Sequence, residues 1–411
     1  MLLGFLFAAE AFVVVAPRGV VRRRGFFAGG WSEEENVDDK INNNNTASSD
    51  LYAALRSRQR QVEKEGAELT VRWRKGKCTS RVVAALGDDW VRRCALDWPL
   101  CALGTASGSV HVVDVSKPPR VLAQDSGTPA HVRYYDGGQD LSPLHGAYDG
   151  GGVTAIALTA ATLATGGRAG DVKLWNVNGP EVTLEATMRC GEGVVVSALC
   201  AARGTRAVFA ACLDGSVRRY DPEWRESWCE RTGDPVLSLA LHPTERVLAC
   251  GLADGTVVLL NALDGTPVGD LRWRPFDASG ARSVAFAFAY LYAASSDGQV
   301  KRRLLDDDLG AYVDKYDEQL GPPHDGPVVS LAARPGILAT AAQDGTLRIW
   351  DLGPRSDKQP PPCLFGFGGF KVWIGSVDCD DRRLISDGSD NTIIMHDFGP
   401  DAASPNIPPS R

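Results

Sequence analysis

The sequence predicts an all-β chain in which one small multi-strand unit recurs seven times behind an extension of different character. The first observation is a seven-residue segment that opens on a turn residue: "GSVHVVD" at Gly108, "GDVKLWN" at Gly170, "GSVRRYD" at Gly215, "GTVVLLN" at Gly255, "GQVKRRL" at Gly298, "GTLRIWD" at Gly345 and "NTIIMHD" at Asn391. By subtraction the segments start 62, 45, 40, 43, 47 and 46 residues apart, a spacing typical of repeat architectures with one supersecondary unit per repeat. Asp114, Asn176, Asp221, Asn261, Asp351 and Asp397 sit six residues after their turn residue, and Leu304 breaks the pattern. The second observation is periodicity. Apolar stretches such as "VTAIALT", "VLSLALH" and "VVSLAAR" precede "TLATGG", "VLACGL" and "ILATAA", with almost no helical spacing from Val153 to Phe398. Each unit reads strand, turn, strand, Asp-Gly turn, strand, with the Asp-Gly pair tolerating the backbone of a tight hairpin.

The elements follow in chain order. "MLLGFLFAAEAFVVVAP" is apolar apart from Glu10, is short for a membrane span, and leads into "RGVVRRRGFFAGG", which has Arg18, Arg22, Arg23 and Arg24 and no acid. Residues 1–30 therefore read as a leader with an A-x-A site at Ala9–Ala11. They resemble the two-part plastid leaders of algae with complex plastids, and a cytoplasmic protein is the alternative. Residues 31–66 are expected to be a mostly disordered extension, "SEEENVDDKINNNNTASSD", followed by one short helix with Asp50 as N-cap and Gly66 near its end. The repeats are expected within 67–399, with a flexible tail at 400–411. No outer strand follows "NTIIMHDFG", so either Ala67–Trp73 ("AELTVRW") or Ser80–Gly87 ("SRVVAALG") is expected to pair beside Thr392–Asp397.

The sixth unit, "HDGPVVSLAARPGILATAAQDGTLRIWD", resembles the WD-repeat family, and the resemblance covers roughly Leu69 to Gly399. It implies a seven-bladed β-propeller, a ring that removes sheet edges by radial repetition. His324, Thr340, Asp344 and Trp350 fall where the family places a buried hydrogen-bonded structural tetrad. Other units depart from it: unit two has Ala169 at the Asp position, unit three has Tyr220 for Trp, and unit five lacks both Trp and the terminal Asp.

Composition narrows function. The 411 residues carry 44 basic and 51 acidic side chains, a net charge of −7, so the chain is not patterned as a nucleic-acid or anionic-membrane binder. Three methionines argue against an adaptable Met-lined groove. The ten cysteines form no C-x-x-C pair and mostly sit in apolar runs, which reads as buried free thiols in a reducing compartment. No catalytic motif is present, and the six histidines show no metal-ligand spacing. No cofactor, metal or catalytic residue is expected.

The function expected is a non-catalytic protein-interaction scaffold, monomeric within a larger complex. Candidate partner-binding residues are Tyr134 and Tyr135 in the long insertion after Val115, Arg272, Trp273, Arg274 and Phe276 in "RWRPF", and Lys371 and Trp373 in "KVWIGS". Arginine–aromatic mixtures of this kind are enriched at interface hot spots. Two alternatives remain: a substrate receptor of a ubiquitin ligase, which often shows an Asp-x-Arg that these blades lack, and a propeller enzyme with its site in the central channel.

Overall fold

The computed structural model describes residues 37–86, 89–116, 132–136, 152–160, 162–178, 182–277, 279–287, 289–305, 317–353, 360–368, 370, 374–388 and 391–400. The expected leader, the expected tail beyond Pro400, Lys371 and Trp373 lie outside them. The chain divides into two compact units, 1–62 and 63–411. Helix α1 (Val37–Arg74) supplies the described part of the first unit, where every side chain from Ala54 to Val62 is exposed. Its last turns and all 28 strands among the described residues belong to the second.

The strands form seven four-stranded antiparallel sheets. The first contains β2 (Val91–Asp97), β3 (Leu100–Thr105), β4 (Ser109–Asp114) and β5 (Val132–Asp136). Five more follow in chain order: β6–β9 within 153–189, β10–β13 within 196–231, β14–β17 within 236–273, β18–β21 within 281–319 and β22–β25 within 328–367. The last combines β26 (Val377–Cys379), β27 (Arg383–Asp387) and β28 (Thr392–Asp397) with β1 (Thr79–Ala85), in the order β1-β28-β27-β26. β2 in turn lies against β26 and β27, which closes the ring into a seven-bladed β-propeller.

Closure settles the choice between the two N-terminal segments. β1 runs antiparallel to β28, with Thr79 opposite Asp397 and Ala85 opposite Thr392. The segment beginning at Ser80 is therefore the outer strand of the last blade. Ala67–Trp73, the other candidate, is helical, so α1 extends beyond Gly66 and the propeller sheet begins at Thr79. The error has a physical source: Leu69, Val71 and Trp73 fit a strand with one apolar face, but Leu69 and Trp73 also fit one side of a helix. Val71 is 46 % exposed, while Trp73 is fully buried and stacks on Phe398 with ring centroids 3.6 Å apart. The Trp73 indole N–H donates to the Asp381 carbonyl at 3.1 Å, and the Arg334 guanidinium lies 4.8 Å over its ring. At its other end α1 starts well before Asp50, over Asp, Asn and Ser residues of weak helix propensity that gave no signal for it.

The core consists of seven apolar clusters, one at each blade–blade junction; Leu248 and Cys250 meet Phe209 and Ala211 at one, and Ile385 and Met395 meet Cys94 and Leu103 at another. Each blade thus buries its faces against its neighbours, the nearest-neighbour stability of repeat proteins. Close approach demands small residues at these junctions. A Cβ on Gly104 or Gly166 would come within 2.5 Å of the next blade's Val153 or Val196.

Candidate interaction face and central channel

The innermost strands are β2, β6 (Val153–Leu158), β10 (Val196–Ala201), β14 (Val236–Leu241), β18 (Ala281–Ala287), β22 (Val328–Arg334) and β26. Six of them shift register near their start: after Val91, Val153, Val196, Val236, Ala281 and Val328. The extra residue of a bulge re-aims side chains, and here it brings hydroxyls to the junctions. Thr154 donates to the Val196 carbonyl at 2.5 Å, Ser197 to Val236 at 2.5 Å and Ser238 to Ala281 at 3.1 Å. Ser283 accepts from the Leu331 N–H at 2.9 Å, Ser330 from Val377 at 3.2 Å and Ser376 from Cys94 at 3.1 Å. These bonds link consecutive inner strands around the ring, except from the first blade to the second.

All inner strands begin at one face of the ring, where the outermost strands end and the second-to-third-strand turns lie. The expected tetrad is built at this face. His324, in the loop entering β22, approaches Asp344 Oδ2 through Nδ1 at 3.2 Å and Thr340 Oγ1 through Nε2 at 2.8 Å; the Trp350 indole N–H donates to the same Thr340 oxygen at 3.1 Å. Burial and the Arg348 charge push the imidazole below its ordinary value despite Asp344. The neutral ring then donates from Nδ1 to Asp344 and accepts the Thr340 hydroxyl proton at Nε2, so each buried polar atom is satisfied. Blade two keeps half of this device, with the Trp175 indole donating to Thr165 at 3.0 Å. In blade three Tyr220 replaces Trp, and its hydroxyl meets Cys190 of the preceding blade at 3.5 Å.

The candidate partner-binding residues divide. Trp273 and Phe276 belong to the core between blades four and five. The Trp273 indole donates to Asp317 at 2.8 Å, and the Lys301 ammonium lies 5.6 Å over the Phe276 ring while donating to the Pro275 carbonyl at 2.6 Å. Arg272 and Arg274, alternating with these aromatics, stay exposed. Along β17 (Pro267–Trp273) alternate residues face opposite sides, so Trp273 goes inward and Arg272 faces solvent; past the end of the strand Arg274 is exposed while Pro275 and Phe276 are buried. Tyr134 and Tyr135 lie on β5, opposite His111 and Val110. β5, β17 and β25 (Cys363–Phe367) are outermost strands, so the segments that follow all three start at this same face.

Sequence reasoning passed over three residues here. Trp90, just before β2, is 67 % exposed at this face. Arg93 and Arg282 line the central channel, a cavity of about 310 Å³ walled by all seven inner strands. A signal existed: "VRRC" and "ARSV" open their inner strands with arginine where others read "VTAI" or "VSAL". Two acids share the wall region, Asp387 buried and Asp378 half-buried. Asp378 accepts the Leu96 and Cys379 N–H groups at 2.8 Å each, and Asp387 accepts from Gly375 at 2.8 Å and Ser376 at 3.0 Å. Burial pushes both carboxyls up to about 6 against these hydrogen bonds. Among the described residues no group of three or more His, Cys, Asp or Glu side chains is placed to hold a metal ion, and no helix is long and apolar enough to cross a membrane.

A ring of antiparallel four-stranded blades around a narrow channel, with loops concentrated at its faces, defines a β-propeller. Comparison with known proteins gives the family. The model for the WD domain, G-beta repeat, matches residues 227–261 and 319–351. The chain is 30 % identical over 165 residues to the WD repeat-containing protein 55 homolog of Dictyostelium discoideum, covering 39 % of this chain and 37 % of that one. It is 40 % identical over 75 residues to Polycomb protein EED of Chaetomium thermophilum (17 % and 13 % covered), and 25 % identical over 339 residues to echinoderm microtubule-associated protein-like 2 of Mus musculus (68 % and 51 %). It thus spans about half or less of the length of these curated relatives. The crystal structure of the computationally designed Ika8 protein superposes with a TM-score of 0.52 at 18 % identity, covering 77 % of this chain and 99 % of that one, and shows the fold alone. The chain belongs to the WD-repeat β-propeller family. Propellers of this family generally act as non-catalytic scaffolds that bind other proteins.

Proposed function

We propose that this protein is a non-catalytic protein-interaction scaffold, one monomeric ring within a larger complex, and that it recruits its partner at the face where the inner strands begin. The observation that carries this reading is the placement of exposed Trp90, Arg272 and Arg274 at that one face of a closed frame. Loops held on a rigid scaffold are where recognition concentrates, and Trp and Arg are the residue types most enriched at energetic centres of interfaces. The buried Trp273 and Phe276 support it by fixing the backbone that presents the two arginines. Two cations at the end of β17 and just beyond it select an acidic patch on the partner.

The test compares affinity-captured partners quantitatively. The R272E/R274E double variant and W90A should lose the partners retained by the wild-type chain. L263S, at an exposed residue between the third and fourth strands of blade four and so on the opposite face, should retain them. Loss with L263S and retention with both other variants would place recognition on the other face.

A further inference from the structure

The central channel holds an imbalance of charge that the scaffold reading does not use. Arg93 and Arg282 line the same cavity of about 310 Å³, whose wall is otherwise aliphatic, serine and cysteine side chains, with Asp378. Neither arginine makes an ion pair within 4 Å among the described residues. Arg93 donates to the Arg92 carbonyl at 2.8 Å. Asp387, the acid whose charge reaches Arg93, already receives the Gly375 and Ser376 N–H groups on its oxygens. Arg282 has no hydrogen bond, ion pair or ring contact among the described residues. Burial, and then the neighbouring Arg92 and Arg282 charges, push the Arg93 guanidinium below its ordinary value. Arg93 is half-buried and Arg282 exposed, so the two like charges face one cavity from its wall and its mouth, and an anion between them would relieve their repulsion.

We infer that the channel mouth between Arg93 and Arg282 is a binding site for a small phosphorylated molecule. Guanidinium groups present planar arrays of N–H donors matched to phosphate oxygens, and two of them grip one phosphate with four or more charge-assisted bonds. The cavity volume is at the lower end of small-ligand sites, which favours a small oxyanion over an inserted protein segment. Both arginines stand near the start of their inner strands, at the face of Trp90, Arg272 and Arg274, so a bound phosphate would also lower the positive charge offered to an acidic partner.

The experiment is calorimetric titration of the full chain with sodium pyrophosphate, alongside sodium sulfate and sodium chloride at equal ionic strength. Saturable binding of pyrophosphate at one site per chain is expected, with chloride giving none. Arg282→Gln should weaken it at least ~10-fold, as loss of a charge-assisted pair does, and Arg282→Lys should recover part of the loss. Arg93→Gln should act likewise; if that variant fails to fold, Arg282→Gln decides alone, because Arg282 is exposed and bears no part of the core. Absence of saturable binding to the wild-type chain, or pyrophosphate binding unchanged in Arg282→Gln, would overturn the site. Sulfate binding as tight as pyrophosphate would refute selectivity for phosphate. The partner-capture result with R272E/R274E is independent of all these outcomes.

Discussion

Replacing Trp350 with Ala tests the repeat at its best-formed blade. The side chain is fully buried among Tyr292, Leu320, Leu338 and Leu352, at the junction of blades five and six. Truncating a buried Trp removes its transfer free energy and leaves a cavity, together about 3–5 kcal/mol. The change also withdraws the indole N–H from Thr340, whose hydroxyl is itself fully buried, and an unfilled buried acceptor adds about 1 kcal/mol. Trp350→Phe keeps most of the ring and should cost far less, about 1–2 kcal/mol, chiefly that hydrogen bond. Leu304→Ala, in the blade without Trp or terminal Asp, removes a partly exposed side chain and should cost about 1 kcal/mol. Urea unfolding followed by circular dichroism at 25 °C gives all three. Equal losses for Trp350→Ala and Leu304→Ala, or a Trp350→Ala loss under about 1 kcal/mol, would refute the assignment of Trp350 to the junction core.

Four further outcomes are expected. A chain beginning at Leu86 lacks β1 and exposes the outer edge of Thr392–Asp397, so it should aggregate; a soluble monomer of unchanged melting temperature would contradict closure by β1. Gly166→Val puts a branched side chain where a Cβ alone meets Val196 at 2.5 Å and should destabilise by about 1–3 kcal/mol; a neutral result would mean the blades separate easily. His396 accepts or donates at Ser80 across the closing sheet at 2.6 Å, its Nε2 has no hydrogen-bond partner among the described residues, and burial pushes its pKa down to about 4. The unfolded chain therefore binds the extra proton first, and His396 alone contributes a loss of about 3 kcal/mol as pH drops from 6.5 towards 4. Asp378 and Asp387, with raised values, act in the opposite sense over the same window. The readout is therefore the difference between His396→Gln and the wild-type chain, which should shift in favour of the variant by about 3 kcal/mol from pH 6.5 to 4; an unchanged difference would refute the burial of a neutral His396. A fluorescent fusion of residues 1–30 should enter the plastid of an alga with complex plastids, and Phe12→Ala should strand it in the endomembrane system; cytosolic fluorescence would remove the leader reading.

What the sequence determined by itself is the repeated part. Turn glycines at a recurrent interval, Asp-Gly hairpins and alternating apolar residues are local signals, so the seven units were legible without coordinates; the tetrad of His324, Thr340, Asp344 and Trp350 was legible through the resemblance of the sixth unit to the WD-repeat family. Even the need for a strand from near the start was legible, since the last unit lacked one. Tertiary structure decided what depends on contacts across the ring. Leu69, Val71 and Trp73 suit a strand or a helix equally; only the Phe398 ring and the Asp381 carbonyl, over 300 residues away, select the helix and leave pairing to Thr79–Ala85. "RWRPF" reads as a surface hot spot, yet alternation at the end of β17 sends Trp273 into the core between blades four and five, the segment beyond the strand buries Phe276 there too, and Arg272 and Arg274 stay outside. Arg93 and Arg282 lie 189 residues apart and look like ordinary strand arginines. They share a cavity because a closed ring brings the starts of all inner strands to one axis, a proximity that no local pattern encodes.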